Sequence, residues 1–337
     1  MHKPSEPSCQ PCRAVIAGSG IYVPQKVLTN QDLANMVETS DEWICTRTGI
    51  KTRRVTTDCE TTAKLATEAA RNAIAQAGLT ADQIDLIIVA TVTPEMVFPS
   101  TACFVQEALG AANAWGFDLA GACSGFVYAL YTAGQFIETR RVNNALVIGA
   151  ETLTKITNWK DRSSCILFGD GAGAVVLRPS DDPSRGLLYS YMGMDGSGWQ
   201  YLNCQAHGSR YPAFKPLDDP NLIYMSIQGR EVYQLAVRRI VESVNRCMEA
   251  CKLDIDQIDM LIPHQMNARI IESATKRLSL PAEKVFVNID RYGNTSAASI
   301  PIALDECIRT GRIGPGSLVI LVAFGAGLTW GANVLRL

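Results

Sequence analysis

Histidine is scarce. The chain has His2, His207 and His264, and they do not cluster, which argues against a histidine-built metal site. No run of about twenty apolar residues occurs, so no transmembrane helix and no membrane partner are expected. Charge of one sign is also lacking. A net charge of −2 argues against bulk nucleic-acid affinity and leaves room only for a local basic patch. Residues 1–13 are polar and proline-rich without an apolar core, so they read as a loose tail and not as a secretory signal. Paired cysteines are missing too. The eleven cysteines are an odd, scattered set in a chain too long to need disulfide staples, which points to a reducing compartment, the cytoplasm. Cys9-x-x-Cys12 has no second pair at zinc spacing, and Cys247 and Cys251 share one helix face, a packing pattern.

What is present is core. Of the 337 residues, 47% are hydrophobic, enough for two domains or one large fused body. Comparing the chain with itself shows a duplication. Residues 82–88 read DQIDLII and residues 256–262 read DQIDMLI, each after an amphipathic helical stretch, Ala63–Ala77 and Val232–Cys251. Downstream, the apolar runs Asn144–Glu151 and Gly316–Gly325 match. So do Phe168–Leu177 and Phe324–Leu335, each a glycine turn leading into a strand. Strands alternating with helices imply parallel sheets covered by helices. Two such halves suggest a five-layered α/β/α/β/α arrangement: a tail at 1–13, one half at 14–182 and another at 183–337, with the seam in the Pro179–Arg185 loop. Catalytic residues are expected where the halves meet.

Two glycine motifs are set aside. Gly18-Ser19-Gly20 lacks the third glycine of a dinucleotide fingerprint and runs on to Pro24, so no helix starts where a pyrophosphate needs one. The Gly169–Gly173 loop leads into a strand and has no lysine.

Three residues at turns carry chemistry. Cys123 follows a strand, Trp115–Leu119, among small residues, and a helix begins near Ser124. A helix N-terminus favours thiolate, and the layout resembles a nucleophile elbow. A buried structural cysteine would look the same locally. His264 ends the second-repeat strand, at the usual active-site edge of an α/β sheet, though a helix-capping histidine fits there as well. Asn294 follows an expected strand, Val285–Asn288, and precedes a helix, Ala297–Arg309. It is the counterpart of the Cys123 turn, or simply a turn-forming asparagine.

Taken as an ordered set, these segments resemble β-ketoacyl-acyl-carrier-protein synthase III, one of the thiolase-fold condensing enzymes. The match runs from Ala14 to Leu337 and includes Asp41-Glu-Trp-Ile44, Thr46-Arg-Thr-Gly49, Phe168-Gly-Asp-Gly-Ala-Gly173, Gly229-Arg-Glu-Val232, His264-Gln-x-Asn267, Tyr292-Gly-Asn-Thr295 and Phe324-Gly-x-Gly327. The resemblance implies that Cys123 accepts an acyl group, typically acetyl, from acyl-CoA. His264 and Asn294 would assist decarboxylation of malonyl-carrier protein, whose enolate attacks the acyl thioester. It implies backbone oxyanion donors at Cys123 and Ala326, and a CoA site of Trp43, Arg47, Arg162 and Asn267. Acyl-pocket residues would be Phe98, Phe168 and Phe324, with Phe98 reaching the partner of a homodimer. Carrier-protein docking would fall on Gln265, Met266, Asn267, Ala268 and Arg269, and the helical spacing of Arg269, Lys276 and Arg277 extends that face. No cofactor or metal is implied. Ala326, Leu328 and Met266 depart from the common pattern and bear on primer choice.

Two other functions share parts of this pattern. A specialised condensing enzyme of secondary metabolism or long-chain ketone formation would carry the same three residues. A cysteine hydrolase would use the order Cys, His, Asn, but the surroundings of Cys123 lack its signature and the duplication has no place in it.

Overall fold

The computed structural model describes residues 12–337. His2 and Cys9 lie outside the described residues. Cys12 and Arg13, assigned above to a tail, are already part of the fold. Cys12 is buried with its sulfur donating to the Ile137 carbonyl at 3.3 Å, and the first strand opens at Arg13.

In chain order, the elements that build the site are β1 (Arg13–Tyr22), α1 (Asp41–Thr48), α2 (Thr62–Gln76), β2 (Leu86–Ala90), α3 (Thr101–Leu109), β3 (Trp115–Leu119), α4 (Gly125–Glu138), β4 (Ala145–Thr152) and β5 (Asp170–Ser180) in the first half. The second half supplies β6 (Gly186–Met194), α5 (Gly229–Cys251), β7 (Met260–Pro263), α6 (Ala268–Leu278), α7 (Ser299–Arg309), β8 (Leu318–Gly325) and β9 (Thr329–Arg336). The first sheet runs β1-β5-β4-β2-β3 and the second β6-β9-β8-β7. These are one order twice. The missing fifth place of the second sheet is taken by Val285, which makes a single parallel bridge to Leu261.

Both sheets are mixed, not parallel as the alternation of strands and helices suggested. β4, β2 and β3 are parallel, as are β7 and β8, but β5 and β9 run against their neighbours. The reason is the connection. No crossover α-helix stands between β4 and β5, and only residues 326–328 join β8 to β9, so each pair can only turn back.

Side-chain alternation makes the layers. Ile87 and Val89 of β2 face α2 and α3 on the outside, while Leu86, Ile88 and Ala90 face inward onto α4. On β8, Val319, Leu321 and Ala323 meet α4 and α7 inside, and Ile320, Val322 and Phe324 meet α5 and α6 outside. The order is therefore helices, sheet, central helices α4 and α7, sheet, helices. This is the five-layered, thiolase-like duplicated fold.

Gly18 and Gly20 now have a physical role within β1. A Cβ on Gly18 would lie 2.5 Å from the Ala73 carbonyl oxygen, and one on Gly20 2.4 Å from the Ala73 nitrogen. These glycines let α2 press on the strand.

Candidate active site

Two matched turns meet in the centre. After β3 the chain makes a short 3-10 turn, Ala122–Ser124, and enters α4 at Gly125. In the second half the turn Ser296–Ala298 enters α7 at Ser299. The first residue of each is left-handed without being glycine, Ala122 at φ 46° and Ser296 at φ 47°. Each turn is pressed by a glycine from the other half. A Cβ on Gly325 would sit 2.8 Å from the Cys123 nitrogen, and one on Gly149 2.2 Å from the Ala297 carbonyl oxygen. The end of β8 is thus seated on the Cys123 turn, and β4 on the Asn294 turn.

Asn294 is positioned by backbone. Its N–H donates to the Leu167 carbonyl at 2.9 Å, and its own carbonyl accepts from Gly169 at 3.0 Å, which sets Asn294 beside Phe168. Its Oδ1 accepts the Ser296 N–H at 2.8 Å, which leaves Nδ2 free to donate. Glu306 of α7 steadies the approach to this loop, accepting from Asn288, Arg291 and Tyr292.

His264 follows β7 and is tied to β8 through the Val322 carbonyl, 2.8 Å from its N–H. The ring is 0% exposed. Nδ1 lies 2.6 Å from the Ser299 hydroxyl, which also accepts the Gln265 N–H at 3.3 Å. A hydroxyl already accepting from a backbone N–H is well placed to donate its proton to Nδ1. That puts the ring proton on Nε2, which is buried and has no partner among the described residues. Burial pushes the His264 pKa down to about 3, so the ring is neutral at physiological pH.

Cys123 is 7% exposed, and burial pushes its thiol up to about 12, with the Ser296 hydroxyl pulling the other way. Burial thus works against the thiolate that a helix N-terminus favours. Neither the Cys123 nor the Ala326 N–H is used in a hydrogen bond among the described residues.

A cavity of about 230 Å³ opens onto Cys123, Ser296 and Ala326, with an apolar wall of Leu153, Ile156, Phe168, Leu202 and Met225. Phe168 lines it as expected from the resemblance. Phe324 does not: it points to the outer layer with Leu328 and Trp330, because β8 is buried on both faces and its alternation sends this side chain away. Phe98 is 81% exposed on the loop after β2, between Val97 and Pro99.

Of the residues the resemblance assigns to CoA, Arg162 stacks on Trp43 with 4.7 Å between guanidinium carbon and ring centroid, and Arg47 stands 5.4 Å from the same ring. Asn267 caps α6 and donates to the Arg47 carbonyl at 3.0 Å, joining α6 to α1. Of the stretch proposed for docking, Gln265 and Met266 are buried and cannot meet a partner. The Gln265 amide donates to the Pro263 and Phe286 carbonyls and accepts the Asn288 N–H at 3.0 Å. It replaces the strand ladder expected at Val285–Asn288, which does not form. Ala268 packs under Gly49, whose added Cβ would lie 2.5 Å from the Ala268 Cβ. Arg269, Lys276 and Arg277 are exposed.

Comparison with known proteins decides the family. Residues 248–337 match the 3-oxoacyl-[acyl-carrier-protein (ACP)] synthase III C-terminal model and residues 117–196 match the 3-oxoacyl-[acyl-carrier-protein (ACP)] synthase III model. The chain is 53% identical over 328 residues to beta-ketoacyl-[acyl-carrier-protein] synthase III of Caldanaerobacter subterraneus subsp. tengcongensis, covering 97% of this chain and 99% of that one.

The chain belongs to the 3-oxoacyl-[acyl-carrier-protein] synthase III family.

It is therefore a condensing enzyme of the acyltransferase type. Among solved structures, the 3-oxoacyl-[acyl-carrier-protein] synthase III of Aquifex aeolicus superposes with a TM-score of 0.90 at 47% identity, covering 96% of this chain and 100% of that one. The priming beta-ketosynthase of the R1128 polyketide pathway also reaches 0.90, at 34% identity and 99% coverage of each.

Sequence reasoning missed Ser299, Ser296 and Glu151. Glu151 is wholly buried at the end of β4 and accepts from Thr91, Val92 and Thr93. A glutamate closing an apolar run reads as a strand's solvent edge, so the sequence carried no signal for it.

Proposed function

We propose that this enzyme takes an acyl group, acetyl or a similarly short one, from acyl-CoA onto Cys123. It then joins that group to the enolate formed by decarboxylation of malonyl-acyl-carrier protein, opening fatty acid synthesis. The observation that carries this reading is the pair of uncommitted donors, His264 Nε2 and Asn294 Nδ2, tied to the turn beside the cysteine cavity. Decarboxylation puts negative charge on the thioester oxygen, and two preorganised neutral donors stabilise it. A neutral imidazole can serve as such a donor because its proton is on Nε2, with Nδ1 engaged by Ser299. The tetrahedral adduct on Cys123 would be held by the Cys123 and Ala326 N–H groups.

Trp43, Arg47, Arg162 and Asn267 form the proposed CoA site. Arg162 rests on Trp43, and an adenine between them needs roughly 7 Å, two van der Waals contacts, so Arg162 swings out on binding. Acyl-carrier protein would dock on Arg269, Lys276 and Arg277. The apolar loop Met96–Phe98, largely exposed, is proposed to be covered in a homodimer and to bring Phe98 to the partner's acyl pocket. The work is proposed to be cytoplasmic and to require no cofactor or metal. Among the described residues no helix is long and apolar enough to cross a membrane.

The test is to mix the enzyme with acetyl-CoA and a panel of longer and branched acyl-CoAs, then map the adduct by peptide mass. One acyl group on Cys123, absent in Cys123→Ala, is expected. An adduct on another cysteine would falsify the assignment. A preference for long or aromatic primers would instead favour the specialised condensing enzyme.

A further inference from the structure

A buried thiol must lose its proton before it can attack a thioester. His264 is not built to take it, because Nδ1 is held by Ser299 and the ring is neutral with its proton on Nε2. The structure offers another acceptor. Gly149 of β4 lies directly against the Ser296–Ala298 turn, with an added Cβ 2.2 Å from the Ala297 carbonyl oxygen. Glu151 is two residues further along, on the same face of the strand. Its side chain is therefore aimed at the same turn, and Ser296 of that turn shares the cavity with Cys123. That turn packs against both β4 and the Cys123 turn, and the Ser296 hydroxyl favours the charged form of both Cys123 and Glu151.

We propose that Glu151, acting through the Ser296 hydroxyl, is the proton acceptor for Cys123 acylation. The proposal rests on the reading of Cys123 as the acylated residue. The balance is simple. As the sulfur bonds to the acyl carbon, the thiol proton passes to Ser296 Oγ and the serine proton to Glu151. As the acyl carbon–CoA sulfur bond breaks, the proton returns by the same route to the departing CoA thiolate. Nothing is oxidised, and no proton is gained or lost overall.

The two carboxylate oxygens are unequally used. Oε2 accepts from Thr91, Val92 and both donors of Thr93, the shortest at 2.7 Å, while Oε1 has only a 3.3 Å contact with the Val92 N–H. Oε1 is thus the oxygen with capacity left to take a proton. Burial pushes the Glu151 pKa up to about 7, against the hydrogen bonds that lower it, so the group changes charge near working pH. The groups facing it are few. Thr91, Val92 and Thr93 are uncharged partners, and Cys123 is the titratable neighbour. Asp170 on β5 is paired with Thr152, on the other face, and is held by Thr56 and Thr154.

Glu151→Gln is a fair test, because the amide oxygen can keep the Oε2 bonds while the NH2 replaces the weakly used Oε1. In wild type, the rate of Cys123 acylation by acetyl-CoA, read by quenched-flow mass spectrometry, should rise with pH through about 7 as the carboxylate loses its proton. In Glu151→Gln the rate should fall on the order of a hundredfold, and that rise should move to the thiol's own alkaline range. Ser296→Ala breaks the relay at its middle and should show the same shift. Its backbone is safe, since Ala122 holds the same left-handed φ in the matched turn. Malonyl-carrier protein decarboxylation, which needs no thiol proton, should survive in both. An unshifted pH profile in either variant, or equal loss of both half-reactions in both, overturns the relay. Failure of wild-type Cys123 to acylate at all would instead overturn the parent reading.

Discussion

His264 acts as a donor only if its proton stays on Nε2, and one hydroxyl enforces that. Ser299 accepts the Gln265 N–H and is left to donate to Nδ1. Removing the hydroxyl frees the ring to take the other tautomer, with Nε2 bare toward the enolate oxygen. Ser299→Ala should therefore slow malonyl decarboxylation about tenfold to a hundredfold. Cys123 acylation, which does not use the ring, should stay near wild type, and separate assays of the two half-reactions check this. If both fell together, the serine would be a packing residue and no more. The burial that keeps the ring neutral also has a sign. The folded pKa of about 3 lies below the ordinary value of 6.5, so the unfolded chain takes up a proton that the folded one refuses. This contribution to stability is lost as pH falls through that window and is complete above it.

At the scale of elements, a glutamine side chain stands in for part of a strand. The Gln265 amide satisfies two carbonyls and one N–H that a fifth strand would otherwise pair. Gln265→Ala leaves those buried groups bare and should destabilise the fold by about 3 kcal/mol, measured by urea unfolding. A change confined to the KM for carrier protein, with stability intact, would restore Gln265 to the docking surface. This residue also shows where sequence reading stops. The repeated DQID segments and the paired apolar runs announced a duplication, and the sheet orders repeat accordingly. Cys123 and His264 were singled out because each follows a strand and precedes a helix, whereas Asn294 was singled out from an expected strand, Val285–Asn288, that does not form. Gln265, Ser299 and Glu151 were not, because a polar side chain that serves a distant backbone group leaves no period in the sequence. Phe324 failed for the opposite reason: an apolar strand buried on both faces does not say which way any one side chain points.

For the whole molecule, charge sets how the large substrate arrives. A net charge of −2 gives no general pull on an acidic carrier protein, so attraction has to come from one place. With Gln265 and Met266 buried and Ala268 pressed under Gly49, the candidate face shrinks to Arg269, Lys276 and Arg277. Positions 269 and 276 are seven apart on α6, so they share a side of the helix, and all three are exposed. α6 starts four residues after His264, whose backbone joins β8, and Asn267 at its cap binds the Arg47 carbonyl, so this face borders the proposed CoA entrance. Exposed ion pairs are individually weak and act within a Debye length of about 8–10 Å. Arg269→Glu or Lys276→Glu should raise the KM for malonyl-carrier protein about threefold to tenfold at low salt. The same variants should flatten the dependence of kcat/KM on ionic strength. Acylation by acetyl-CoA should be unchanged in Lys276→Glu, because that charge lies about two helical turns beyond Arg269 and the small thioester does not need it. Equal loss with both substrates would mean that the helix itself had been disturbed. No change with either would return the three charges to ordinary solvated surface and leave the carrier protein to dock elsewhere.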